Sequence, residues 1–128
     1  VKEKHDIHDF GPWSVKHHIP HVQPPIAFLQ QMLTIRLHLD NCPETNGPLS
    51  IIPASHNHGL LSRQQIEEFK MKEEITSCEA QAGDLLLMKP LILHSSPKAA
   101  LPQNRRILHL EFTYEDLPRP LEFGEYLK

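Results

Sequence analysis

His94 closes the apolar run Leu91-Ile92-Leu93, and Arg105 opens the next strand-like stretch, Arg105-Arg106-Ile107-Leu108-His109-Leu110-Glu111-Phe112, eleven positions later. A neutral imidazole is a good ligand for iron(II), and a face of two histidines and one carboxylate leaves coordination positions open for other molecules. A guanidinium grips a planar carboxylate through two parallel hydrogen bonds, so an arginine at depth calls for a carboxylate there. On adjacent strands, His94 and Arg105 could hold a metal at one end of a keto-diacid and the far carboxylate at the other. Each residue alone also has a structural reading. A strand-end histidine commonly bonds to backbone, and Arg105 or Arg106 could pair with Glu111 or Glu115.

A second pair with metal-ligand chemistry is His38-Leu39-Asp40. Residues two apart on a strand share a face, so both side chains could reach one ion. Arg36, His38 and His109 fall on polar strand faces and are candidates for a pocket wall, with a solvent-facing role equally compatible. The other histidines have plainer explanations. His5, His8, His17, His18 and His21 follow no structural zinc spacing and read as a solvated loop, with Phe10 and Trp13 as its anchors. His56 and His58 sit in a turn, where hydrogen bonds to backbone would account for them.

The elements that must position these residues are short, because twelve prolines punctuate 128 residues. Residues 1–24 read as a His/Pro-rich loop, and a helical turn or two follows Pro24-Pro25. From Met32 to Asp40 the alternation is strict, with Leu33, Ile35, Leu37 and Leu39 on one face and Thr34, Arg36, His38 and Asp40 on the other. Asn46-Gly47 marks a turn, which Asp40 is expected to cap, and Leu49 to Ile52 a strand. Ser62 with Gln65 reads as a capping box for a helix to Lys72. Ile75–Ala80, Leu85–Met88, Leu91–His94 and Arg105–Tyr114 complete the strands. The loop 97–104 and a tail, 115–128, are irregular. This is a mainly β chain with one short helix, a single domain of 1–128 with its core at 25–114.

The composition removes some partners. A net charge of −3 and a pI near 6.4 argue against nucleic acid or an anionic membrane. No apolar run approaches a membrane span. Two cysteines, Cys42 and Cys78, without CxxC spacing suit a reducing cytosol, with one disulfide left open.

Taken in order, Asp40, Asn46-Gly47-Pro48-Leu49, Ile51-Ile52-Pro53-Ala54-Ser55-His56, Gly83-Asp84 and the strand to His94 resemble the phytanoyl-CoA dioxygenase family over residues 32 to 114. The resemblance implies a double-stranded β-helix of the jelly-roll or cupin-like kind. It also implies an oxygenase that uses iron(II), 2-oxoglutarate and dioxygen to hydroxylate a small molecule, releasing succinate and carbon dioxide. His94 then resembles the distal iron ligand, and Ser96 and Arg105 the pair that binds the 2-oxoglutarate carboxylate. Ala54 stands where the family has glycine. The family's other two ligands come from a His-x-Asp motif on an earlier strand, and Val1 to Val22 holds no such strand. The expectation is that this pair precedes Val1, in N-terminal strands that this chain lacks, and that the 128 residues alone do not turn over. His38 and Asp40 are the alternative ligands within the chain. Two other readings are a non-catalytic β-helix binding module and a cupin-type metal enzyme that has no need of a carboxylate clamp at Arg105.

Overall fold

A computed structural model describes residues 1–101 and 103–124; Pro102 of the expected 97–104 loop and the last four residues of the expected tail lie outside the described residues. The chain runs β1 (Trp13–Lys16), β2 (Ile19–Val22), α1 (Ile26–Gln31), β3 (Leu33–His38), β4 (Leu49–Ile51), α2 (Arg63–Lys72), β5 (Thr76–Cys78), β6 (Leu85–Met88), β7 (His94–Ser95) and β8 (Ile107–Phe112), with 3-10 turns at Glu44–Asn46 and Ser55–His58. Two compact units emerge, one of residues 1–31 with the segment from Thr113 onward, the other Met32–Phe112. Among the described residues no helix is long and apolar enough to cross a membrane.

In the first unit the segment expected to be loop contains a hairpin. β1 and β2 pair antiparallel, with Trp13 opposite Val22 and Lys16 opposite Ile19. The connection is His17-His18, both at positive φ (49° and 66°), the backbone of a two-residue turn whose twist matches its strands. Pro20 disguised this strand, since proline lacks a ladder donor and is tolerated only where no partner needs one. Phe10 meets Phe28 of α1 edge to face at 6.3 Å, and the Lys4 ammonium lies 5.8 Å from the Trp13 ring.

The second unit is two three-stranded antiparallel sheets, ordered β6-β3-β8 and β5-β4-β7. β3 is central in its sheet, and its alternation is as the sequence indicates, but the faces are reversed in burial. Thr34 and His38 are 2% exposed, whereas Leu33, Ile35 and Leu37 are half-buried. Their cross-strand neighbours Leu85, Leu87, Leu108 and Phe112 are exposed. Polarity alone names the two faces of a strand without saying which faces inward, and here polar groups take the inward side. The core proper is Cys42, Leu49, Ile52 and Met88, with Asn46, Pro48 and Ser55 buried among them. Cys42 forms an isolated bridge to Ala80, and both cysteines are free thiols.

Two turns do most of the positioning. Asn46, 1% exposed, donates from its amide to the Asn104 carbonyl (3.2 Å) and accepts from the Gln103 N–H (3.1 Å). Thr45 O accepts from the N–H groups of Ala100 and Leu101, so this turn anchors the loop leading to β8. Gly47 has φ +66°, and a Cβ there would collide with the Pro97 carbonyl and lie 3.0 Å from Arg105 Nη1. The second turn is built on Ser55. Its hydroxyl donates to Ile52 O (2.7 Å) and accepts from the Leu93 N–H (2.8 Å), fixing the backbone immediately before His94. The strand expected over Leu91–His94 shortens to His94–Ser95, because Lys89 to Ile92 forms a turn closed by an Ile92 N–H to Lys89 O bond (3.1 Å). Helix α2 has its capping box, with the Ser62 hydroxyl accepting from the Gln65 N–H and the Gln65 side chain accepting from the Ser62 N–H.

Ala54 sits at φ +61°, ψ 0°, in the left-handed region where a Cβ costs roughly 1–2 kcal/mol. Ala54→Gly is therefore expected to raise stability by about 1 kcal/mol. Gly47→Ala is expected to lower it by more, because strain and collision add. Thermal unfolding midpoints check both signs, and an Ala54→Gly variant that melts lower contradicts this account of the turn.

Candidate active site

Arg105 lies two residues before β8 and reaches back to the Asn46-Gly47 turn. Its Nη1 donates to the Gly47 carbonyl at close range, to the Asn46 carbonyl at 3.2 Å and to Ser96 Oγ at 3.0 Å. The Ser96 hydroxyl itself donates to Gly47 O at 3.0 Å. The structure thus brings together the two residues singled out for the carboxylate, on a base of two backbone carbonyls. Both side chains are solvent-accessible.

Arg106, the next residue, makes a different contact. Its Nε and Nη2 donate to Asp40 Oδ2 (2.9 Å) and Oδ1 (2.7 Å), and its backbone N–H adds a bond to Oδ2 (2.8 Å). These hydrogen bonds hold the Asp40 carboxyl at about 2, below the usual carboxylate range. Asp40 therefore does not cap the turn after it, and Arg106 pairs with neither Glu111 nor Glu115. The Asn41 side chain reaches the turn before β6 instead, where its Oδ1 accepts from the Ala82 N–H at 2.8 Å.

His38 pairs opposite Ile107, with its backbone in bonds to Asp84 and Gly83. Neither ring nitrogen has a hydrogen-bond partner among the described residues. Burial first, and the Arg36 charge second, push its pKa down, so the ring is neutral. Asp40, the other member of the alternative ligand pair, is engaged by Arg106. Among the described residues no three His, Cys, Asp or Glu side chains form a set able to hold a metal.

His94 stands opposite Ile51, solvent-accessible, at the rim of a cavity of about 190 Å³ lined mainly by Ile51, Ile52, Ile66, Ile75 and Leu93. Its Nδ1 lies 2.8 Å from the Ile92 carbonyl. A carbonyl only accepts, so Nδ1 is the donor in this bond, which orients the ring. Among the described residues His94 is not part of a group of three side chains able to hold a metal.

On the inward face of β3, Arg36 lies opposite His109, and its Nη1 is 3.4 Å from His109 Nδ1. His109 Nε2 lies 3.6 Å from Glu111 Oε1. Burial, and then the charge of Arg105, depress the Arg36 pKa. The turn histidines differ from expectation. His56 Nδ1 is buried with no hydrogen-bond partner among the described residues, and the His58 ring packs edge-on against Phe69 at 4.9 Å. Asn46 and Ser55 went unrecognised as positioning residues, although both belong to the turn motifs that stand out in the sequence.

Because the folded-state pKa of His38 is depressed, its contribution to stability is fully present above the unfolded value near 6.5. It is lost as pH falls through that value toward the lower folded one. Unfolding free energy measured between pH 8 and 5 should decline on acidification, and His38→Asn should flatten that slope. An unchanged slope contradicts a neutral buried His38.

The comparisons with known proteins agree on one fold. Among curated proteins none matches the chain. Among solved structures, EctD from S. alaskensis with bound Fe aligns at TM-score 0.58 and 22% identity, over 66% of this chain and 32% of that one. EctD with 2-oxoglutarate and 5-hydroxyectoine aligns at 0.57 and 22%, over 66% and 31%. The non-heme alpha ketoglutarate dependent epimerase SnoN from nogalamycin biosynthesis aligns at 0.50 and 20%, over 80% and 49%. The chain thus spans about a third of EctD and about half of SnoN. At these identities the likeness establishes the fold, the mainly β double-stranded helix expected from the sequence. The family model for phytanoyl-CoA dioxygenase (PhyH) matches residues 6–107, and the chain belongs to that family.

Proposed function

We propose that this chain carries the co-substrate clamp, Arg105 with Ser96, and one metal-binding imidazole, His94, of an iron(II)- and 2-oxoglutarate-dependent oxygenase acting on a small molecule. The observation that carries the reading is the 3.0 Å contact between Arg105 Nη1 and Ser96 Oγ, seated on the Asn46 and Gly47 carbonyls. A guanidinium and a hydroxyl held side by side are the kinds of donor a carboxylate takes, and here both lean on the Gly47 carbonyl. Membership of the family and the likeness to structures holding Fe and 2-oxoglutarate support the same chemistry. The oxidation belongs to metal and dioxygen; the side chains bind, orient and exclude water.

A second reading, a binding module without a metal, is favoured by one observation. The described residues contain no set of three metal-ligating side chains. A cupin-type enzyme that does not use 2-oxoglutarate leaves the Arg105–Ser96 pair without a purpose.

The test is conversion of 2-oxoglutarate to succinate by the polypeptide as its gene encodes it, supplied with iron(II). Arg105→Ala is expected to raise the 2-oxoglutarate concentration needed for half-maximal rate more than tenfold, about 1.4 kcal/mol, while metal affinity stays within twofold. His94→Ala is expected to abolish turnover. The 128 residues by themselves should give no succinate above background, since one imidazole holds iron(II) weakly. Turnover by those 128 residues that is lost in His38→Ala would move the metal to β3, and clamp variants without effect would favour the binding module.

A further inference from the structure

The inward face of the β6-β3-β8 sheet holds more cationic and unsatisfied polar groups than the chain itself answers. Three buried nitrogens there have no hydrogen-bond partner among the described residues: Arg36 Nε, His38 Nδ1 and His38 Nε2. Arg36 and His38 are two apart on β3 and share that face, on which Arg36 stands opposite His109 and His38 opposite Ile107. Arg105, two residues before Ile107, continues the same row.

A partly desolvated guanidinium in the field of a second, as Arg36 is in that of Arg105, is costly unless an anion lies beside it. Among the described residues none pairs with Arg36. Glu111 comes within 3.6 Å of His109, and Asp84 acts electrostatically on His38. Neither forms an ion pair with Arg36 among the described residues. The contact of Arg36 with His109 is long, 3.4 Å, and uses only Nη1. Meanwhile Arg105 Nη1 is occupied by the Asn46 and Gly47 carbonyls, and the Ser96 hydroxyl donates to Gly47. A carboxylate arriving at this clamp must draw on donors beyond those already engaged.

We infer that Arg36 is a second carboxylate-binding residue, sharing with Arg105 the distal carboxylate of 2-oxoglutarate. The inference rests on the function proposed above and adds to it a residue on a different strand. Two guanidiniums on one carboxylate would make selection for a diacid steep, because a keto-monoacid leaves both cations desolvated and unpaired.

The experiment is a calorimetric titration of 2-oxoglutarate, and separately of pyruvate, into the polypeptide as its gene encodes it, with iron(II) and without oxygen. Pyruvate keeps the keto-acid end and lacks the distal carboxylate. Arg36→Gln is expected to weaken 2-oxoglutarate at least tenfold and to leave pyruvate within twofold. Equal loss for both ligands, or no loss for 2-oxoglutarate, overturns the inference. Arg105→Gln in parallel separates the two levels. If Arg105→Gln weakens 2-oxoglutarate and Arg36→Gln does not, the inference alone falls. If Arg105→Gln has no effect, or the wild type binds no 2-oxoglutarate, the proposed function falls with it. Should Arg36→Gln not fold, Arg36→Lys keeps the charge without the planar fork. A several-fold loss confined to 2-oxoglutarate is then expected, and unchanged affinity overturns the proposal.

Discussion

One close approach organises the second unit: a guanidinium nitrogen of Arg105 against the carbonyls of Asn46 and Gly47. It requires a residue without Cβ at position 47, because the Pro97 backbone and Arg105 Nη1 occupy the space where a side chain would begin. It also requires the turn to stay rigid, which Asn46 secures from its buried side chain through Asn104 and Gln103. The loop before β8, the serine after β7 and the turn before β4 are therefore tied at one point. The candidate clamp is a by-product of that knot, since the groups that hold it together are those that would face a carboxylate.

The strands and the helix of this unit were legible where periodicity and end signals agreed. Ser62 and Gln65 mark the start of α2, Gly83-Asp84 precedes β6, and the alternation of Leu33 to His38 defines β3. The hairpin around His17-His18 was hidden because Pro20 argues against a strand and the turn uses histidines at positive φ where asparagine or glycine is usual. The orientation of β3 was hidden for another reason. Hydrophobic patterning assumes that polar residues point to water, and the inward side chains here are Thr34 and His38. Arg105 is marked by its place eleven positions after His94 and Ser96 by the family resemblance alone, and only the fold shows them in contact. The partner of Asp40 lies 66 residues away, beyond any local pattern.

The inward polar groups carry a thermodynamic cost. Burying an imidazole whose nitrogens have no partner among the described residues, beside a desolvated guanidinium, opposes folding by an amount that packing must offset elsewhere. Few side chains are available for this: among the described residues of the unit the buried apolar ones are Cys42, Pro48, Leu49, Ile52 and Met88. Stability in this unit therefore depends heavily on its turns, and especially on the hydroxyl of Ser55, which joins the end of β4 to the backbone ahead of His94.

The adjacent arginines have a meaning beyond their separate bonds. Arg105 turns to the Gly47 carbonyl and Arg106 to the Asp40 carboxylate, on opposite sides of one strand. A slip of β8 by a single position would exchange them, leaving Asp40 without its counter-charge and the Gly47 carbonyl without its donor. The apolar side chains of β8 would resist that slip weakly, because Leu108 and Phe112 are exposed on the outward face. Here the two charges act as a key that admits one alignment of the strand and rejects its nearest competitors.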